Sequence, residues 1–286
     1  MDAATLDTNE LMTASTSAPA TAKINLALVV GPLRSDGKHE LVTVFQRVAL
    51  SDHVAIEVAD RLRVDGFTED TIVEQALESL AAAAGVEPPW HVRLTKRIPV
   101  AAGLGGGSSD AVTALRLANA TLPEPLPADH LRALAATLGA DVPFFLTTGP
   151  QLGRGDGTEL LPLDLPQDYA VLLLVPHDAV KESTAAVYRA FDARKGSTGF
   201  EARRDELERA IGRVGRAEDL AALPRNDLAS SEFSAQLEEL GAFRADVTGA
   251  GPAVYGLFLD KRHASDAARA LRGAGRTIVT TACSHG

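Results

Sequence analysis

The sequence predicts an α+β fold in two domains, on three observations. Stretches with strand alternation and stretches with helical spacing are both frequent, but they do not follow one another in the regular order of a doubly wound sheet. The 286 residues suffice for two separate cores. With 45% hydrophobic but only 5% aromatic residues, those cores are aliphatic and alanine-rich.

Residues 1–18 are polar, with neither a basic start nor an apolar stretch, and read as a disordered extension and not a secretory signal. Met12 opens a natural-looking shorter start within it. An N-terminal domain is expected over 19–163. It begins with the strand "KINLALVV", a turn at "RSDGKHE", and two further strands, "LVTVFQRVAL" and "HVAIEV". "TIVEQALESLAAAAG" follows as a helix closed by Gly85. "WHVRLTKRIPV" alternates as a half-buried strand, and "SSDAVTALRLANATL" has helical spacing at Val112, Leu115, Ala118 and Leu122. "PADHLRALAATLG" is a helix with Asp129 near its start and Gly139 at its end, and Asp156-Gly157 suits a hairpin turn. A C-terminal domain is expected over 164–286. It opens on the strand "YAVLLLVP" and carries the helices "STAAVYRAFDAR", "ARRDELERAIGRV" and "SAQLEELG". The strand pair "RADVTGAGPAVYGLFL", the helix "SDAARALRGAG" and the strand "RTIVTTAC" complete it. Between two of these helices, "ARKGSTGFEA" reads as a mobile loop.

Acidic residues outnumber basic ones by 38 to 28, a net charge of −10, which argues against a nucleic-acid or anionic-membrane surface. The single cysteine, Cys283, excludes a disulfide framework or a cysteine zinc site within one chain and suits a reducing cytoplasm. The longest apolar runs are of strand length, so no membrane partner is expected.

The stretch "PVAAGLGGGSSDA" carries the chemistry. Glycines are concentrated where φ must be positive or where something presses on the main chain. Here they lie between a strand and a helix that Ser108 or Ser109 can cap, with Asp110 in its first turn. Free N–H groups at such a junction converge on a phosphate. A Walker A loop would need a lysine after the glycines, and a dinucleotide fingerprint would need glycine where Ser108 stands; neither is present.

Together with "PATAKINLAL" and the second glycine turn "VTGAGPAVYGLF", this loop resembles the GHMP kinases, ATP-dependent kinases of small molecules. "DGKHELVTVFQ", "GADVPFFL" and "STAAVYRAFD" extend the resemblance from about Pro19 to the C-terminus. They point to the branch that phosphorylates the 2-hydroxyl of a cytidine-diphosphate-linked methylerythritol in isoprenoid precursor synthesis. Homoserine- or mevalonate-type kinases, or a non-catalytic nucleotide-binding protein, are the alternatives. The resemblance implies a ribosomal protein S5-like N-terminal domain, a ferredoxin-like C-terminal domain, ATP and Mg²⁺ as cofactors, and a cytoplasmic monomer or homodimer.

By the same resemblance, Asp141 is the carboxylate that takes the proton of the acceptor hydroxyl, as phosphoryl transfer requires. Its position before Val142-Pro143 would equally suit a helix cap. Lys23 would lie beside Asp141 and favour the carboxylate and the charge developing on the hydroxyl, or be a strand-edge lysine. Pro99, Val100, Ala101, Ala102, Gly103, Leu104, Gly105, Gly106, Gly107, Ser108 and Ser109 would hold the phosphates, with a serine near the phosphate or Mg²⁺. No metal ligand is assigned. Lys96 matches a position near the nucleotide or is simply solvated, and Thr184 matches a site threonine or begins a helix. Asn25, His39, Thr184 and Tyr188 form the expected substrate end, where His39 and Tyr188 grip the cytosine. Lys38 stands where a tyrosine is expected, and Ala250 where a serine is common. Asn226 and Asp227 in "RNDL" match a family stretch or are caps.

Overall fold

A computed structural model describes residues 15–67, 72–178 and 183–284. It is α+β. The N-terminal half contains β1 (Thr16–Leu33), β2 (His39–Val58), β3 (Arg63–Asp65), α1 (Ile72–Ala84), β4 (Trp90–Thr95), α2 (Gly106–Asn119) and α3 (Ala128–Leu138). A 3-10 turn (Pro143–Leu146) and the hairpin β5 (Gln151–Arg154) and β6 (Glu159–Pro162) complete it. Gly85 takes a positive φ of 68° after α1, and Gly139 is the C-cap of α3, as their positions predicted.

β1 and β2 form one long antiparallel ladder. The two strands expected from "LVTVFQRVAL" and "HVAIEV" are one. Ser51 and Asp52 look like a break, but the register shifts between Thr21 and Ala22 and absorbs Ala49 and Leu50 as a bulge. A second shift follows Asn25, so irregular backbone brackets Lys23 and Asn25. β1 also starts earlier than expected: Thr16, Ser17 and Ala18 pair with Ile56, Ala55 and Val54, so that end of the expected extension is strand. Residues 1–14, Met12 among them, lie outside the described residues.

The C-terminal half runs β7 (Ala170–Pro176), α4 (Thr184–Ala193), α5 (Phe200–Ile211), a 3-10 helix (Ala217–Ala222), α6 (Glu232–Glu239), β8 (Arg244–Val247), β9 (Val254–Phe258), α7 (Lys261–Ala270) and β10 (Gly275–Cys283). Its strand order, β10-β7-β9-β8, is fourth-first-third-second in the chain order of this half, the ferredoxin-like arrangement. β10 also joins the halves: it pairs with β7 up to Thr281, then with β2 through Ala282 and Cys283. One buried cluster contains Ile24, Val44 and Leu104 from the first half with Val171, Leu207 and Tyr255 from the second. The segment 193–202 is tied down, contrary to the mobile loop expected. Gly196 N–H bonds the Phe191 carbonyl, and Arg203 donates to the carbonyls of Gly196 and Thr198.

Arg244, 1% exposed, links β1 to β8 and β9. Its guanidinium donates to the carbonyls of Leu26 (2.6 Å), Leu223 (2.6 Å) and Pro224 (2.9 Å) and to the Tyr255 hydroxyl (3.1 Å). Asp246 lies 3.5 Å away, and burial raises its pKa above the usual carboxylate value even with Arg244 beside it. Removing this cation strands the carbonyls and a buried carboxylate. Arg244→Met is therefore expected to lower stability by about 3–5 kcal/mol, read from the urea unfolding midpoint; a loss below about 1 kcal/mol would contradict this account.

Candidate active site

The middle of β1, the start of β2, the glycine loop, the residues from Gly139 to Asp141, the start of α4 and the second glycine turn enclose a cleft of about 1120 Å³. Lys23, Asn25, His39, Lys96, the loop from Pro99 to Ser108, Asp141, Thr184 and Tyr188 all line it. Ser109 does not: it is 2% exposed, one turn into α2.

Lys23 is the electrostatic centre. Its side chain is 3% exposed and its ammonium lies 3.0 Å from Asp141 Oδ2 and 2.7 Å from Asn25 Oδ1. Asn25 is held in turn: its amide donates to Thr43 Oγ1 at 2.8 Å, and its backbone N–H to Thr248 Oγ1 at 3.1 Å. β1 has β2 as its ladder partner and the glycine loop on its other side, where Lys23 N–H bonds the Leu104 carbonyl at 2.9 Å, so Lys23 is on an outer strand but is no solvated edge lysine. Nor is Asp141 a cap, because the N-cap of the 3-10 turn is Val142, with no side-chain cap bond. The Asp141 side chain is 39% exposed, so one end of the pair is buried and the other open to the cleft.

The glycine loop ends in α2 two residues earlier than expected. Gly105, at φ 71°, is the N-cap with no side-chain bond, so Ser108 and Ser109 lie within the first turn and cap nothing. Asp110 is also not a dipole partner in the first turn; it is buried and meets Lys96 at 2.5 Å. What presses on the glycines is the protein itself. A Cβ on Gly103 would stand 2.5 Å from the Thr248 carbonyl, and one on Gly105 would stand 2.8 Å from the Phe145 ring and 3.0 Å from Lys23 Cγ. The open side of the loop, with the N-terminal N–H groups of α2, faces the cleft, an arrangement suited to phosphate.

Lys96 is not simply solvated. It bridges Asp110 and Asp52, each at 2.5 Å and each with a fully buried side chain. Burial opposes its charge, but the two carboxylates outweigh burial and hold its pKa above the ordinary lysine value. Asp52 also accepts from the N–H groups of Arg97 and Ile98, anchoring the entry to the loop.

At the other end, His39 and Tyr188 are stacked on each other, ring centres 4.8 Å apart at 27°, with His39 Nε2 2.9 Å from Asp192. A base does not fit between rings at that spacing, so the two do not grip opposite faces of a cytosine here. Burial, with the charge of Asp141, pushes the Tyr188 hydroxyl up to about 12. Lys38 is ion-paired at 2.5 Å with Asp156, whose pKa falls to about 2: burial alone would raise it, but the Lys38 and Thr158 contacts prevail. Thr184 is the first residue of α4, after the capping Ser183, and exposed to the cleft.

Several contributors carried no sequence signal. Asp52, Thr248 and Phe45, whose ring lies 5.7 Å below the Lys23 ammonium, are among them. Asn226 and Asp227 cap no helix. The Asn226 amide donates to the carbonyls of Val247 and Gly249, and Asp227 accepts from Val30 N–H and Arg203. "RNDL" thereby fixes the second glycine turn and β1.

Comparison with known proteins agrees with this geometry. The profile of the GHMP kinases N terminal domain matches residues 71–149, and that of the GHMP kinases C terminal domain matches 204–277. A protein of Chlorobium phaeobacteroides (strain BS1) named 4-diphosphocytidyl-2-C-methyl-D-erythritol kinase is 36% identical over 90% of this chain and 93% of its own. One of the same name from Moorella thermoacetica (strain ATCC 39073 / JCM 9320) is 39% identical over 92% and 97%. A crystal structure of 4-(cytidine 5'-diphospho)-2C-methyl-D-erythritol kinase superposes with a TM-score of 0.76 at 33% identity, covering 94% of this chain and 99% of that one. A cleft lined by a glycine loop and a lysine–aspartate pair, on a fold and sequence shared this widely, makes the chain a member of the GHMP kinase family.

Proposed function

We propose that the protein is an ATP-dependent kinase that phosphorylates the 2-hydroxyl of 4-diphosphocytidyl-2-C-methyl-D-erythritol. The observation that carries this is the Lys23–Asp141 pair, open to a cleft that the adjoining glycine loop also lines. Asp141 accepts the proton of the acceptor hydroxyl as its oxygen attacks the γ-phosphorus. The bond to the β,γ-bridging oxygen breaks, and its electron pair leaves with ADP. Lys23 supplies positive charge beside the oxygen that becomes negative, while Asn25 holds Lys23 in place. The loop from Pro99 to Ser108 is assigned to the phosphates. Lys96 supports the loop through Asp52 and Asp110, and Ser109 lies behind it, within α2.

Among the described residues no group of three His, Cys, Asp or Glu side chains gathers to hold a metal ion. The donors in the cleft still fit Mg²⁺, which takes few protein ligands and completes its shell with phosphate and water. Ser108, at the start of α2 and in the lining of the cleft, is the group that would hold it, and bound there it would neutralise charge on the phosphates. We divide the chain near residue 163 into a nucleotide-holding and a substrate-completing domain. Thr184 and Tyr188 reach the cleft from the second, and His39 from the first. Among the described residues no helix is long and apolar enough to cross a membrane.

The purified protein is expected to release ADP with the cytidine-linked alcohol and not with homoserine or mevalonate; turnover with either of those instead would reject the substrate assignment. Asp141→Asn removes the charge at constant shape, and turnover should fall by about 10²–10⁴-fold while ATP still binds. Retained turnover would remove Asp141 from the chemistry. Gly105→Ala imposes about 1–3 kcal/mol of strain at a positive φ and pushes on Phe145 and Lys23, so both ATP affinity and turnover should drop. Lys38→Tyr offers an aromatic face at the substrate end and should lower the KM for the cytidine substrate without changing that for ATP. A higher substrate KM would mean that Lys38 itself contacts the substrate.

A further inference from the structure

Arg47 is a buried cation with an unusual set of partners. It stands directly opposite Lys23 in the β1–β2 register and is 3% exposed. Its guanidinium donates to Thr21 Oγ1 (3.0 Å) and to the carbonyls of Phe144 (3.2 Å) and Thr147 (2.9 Å). The rings of Phe144 and Phe145 lie 4.9 and 5.2 Å from it. Among the described residues no carboxylate lies within ion-pair distance of it, so its burial is compensated only by neutral dipoles and aromatic faces. Burial, helped by nearby Arg116, brings its pKa down to about 10, which leaves it charged at neutral pH.

Each of those partners belongs to the strand or the turn that presents a charged member of the site. Thr21 precedes Lys23 by two residues on β1, and the 143–147 turn begins two residues after Asp141, with Val142 between them. Within that turn Phe145 N–H bonds the Val142 carbonyl, and the Thr147 N–H and hydroxyl both bond that of Phe144. Arg116 adds one clamp, on the Leu146 carbonyl at 2.7 Å. The Phe145 ring in turn bounds Gly105.

We propose that Arg47 is a positioning residue for phosphoryl transfer: by fastening the turn at 143–147 to β1, it sets the separation of the Asp141 carboxylate from Lys23 and from the phosphate loop. The proposal rests on the reading of Asp141 as the proton acceptor. A guanidinium is suited to the task, because its planar fork reaches two carbonyls and a hydroxyl at once where an ammonium is a single point. A displacement of the order of 1 Å at the reacting groups suffices to cost about 10²-fold in rate.

The test is a double-mutant cycle with ATP and the cytidine-linked alcohol, well below the melting temperature, with active sites counted by ATP binding. Arg47→Gln should lower kcat by about 10²-fold while the KM for ATP stays within about 3-fold, and Arg47→Lys should fall between. In the Asp141→Asn background, adding Arg47→Gln should change the residual turnover by less than about 2-fold, because the group it positions is gone. The same fold-loss in both backgrounds, or a folded Arg47→Gln with the parent kcat, would overturn the positioning role alone. Full turnover in Asp141→Asn by itself would overturn the catalytic reading and this proposal with it. If Arg47→Gln does not fold, Arg47→Lys carries the same cycle; if Arg47→Lys does not fold either, Arg47 serves stability and the proposal falls.

Discussion

A lysine ammonium buried between an outer strand and the loop that covers it must be met by fixed partners, and the rest of the site is arranged around Lys23. Unpaired, such a charge is among the most costly groups a core can hold. Asn25 answers it from the same strand at 2.7 Å, and Asp141, two residues ahead of the 3-10 turn, at 3.0 Å. The demand then passes outward. Asn25 needs Thr43 and Thr248, the turn after Asp141 needs Arg47, and Arg47 needs the carbonyls of that turn. Only Asp141 keeps an open face, so the charge stored in the sheet is offered to the cleft at one carboxylate.

The glycine loop obeys the same geometry from the other side. Its glycines let the two halves of the chain approach, at the Thr248 carbonyl, and let the loop pass over Lys23 and Phe145. The N-terminus of α2 can then face the cleft without a side-chain cap of its own. Behind it, Lys96 with Asp52 and Asp110 forms a buried triad that fixes the loop's entry to its helix. A phosphate would thus meet a surface already ordered, which is the condition for electrostatic catalysis without reorganisation.

The substrate end is built differently. His39 and Tyr188 spend their faces on each other, and Lys38 is engaged by Asp156. A base entering here meets one outer aromatic face and a half-exposed ion pair, where the family pattern would supply a tyrosine. Two relatives named for a cytidine-linked alcohol share 36% and 39% of aligned residues with this chain over nearly its full length.

The elements were largely legible because they follow local rules. Periodicity gave α1, α3 and the strands of the second half, and terminal glycines gave their ends. The resemblance of the "KIN" and "GADVP" stretches to the GHMP kinases brought Lys23, Asn25 and Asp141 forward as candidates. Helix α2 was misread at its start because Gly105 caps it by backbone conformation, which a reading of side-chain caps does not see. Asp52 looked like a strand break and Arg47 like any strand arginine, because the partners of Asp52 lie 45 and 46 residues away and those of Arg47 26, 97 and 100. Likewise, nothing in the residue types of His39 and Tyr188 says whether two rings flank a guest or each other. The sequence alone determined which residue types stand at strand ends, turns and helix starts, because those preferences are set within a few residues. The tertiary structure alone decided which charges face one another and which are buried, because pairing and desolvation depend on chain segments that only folding brings together.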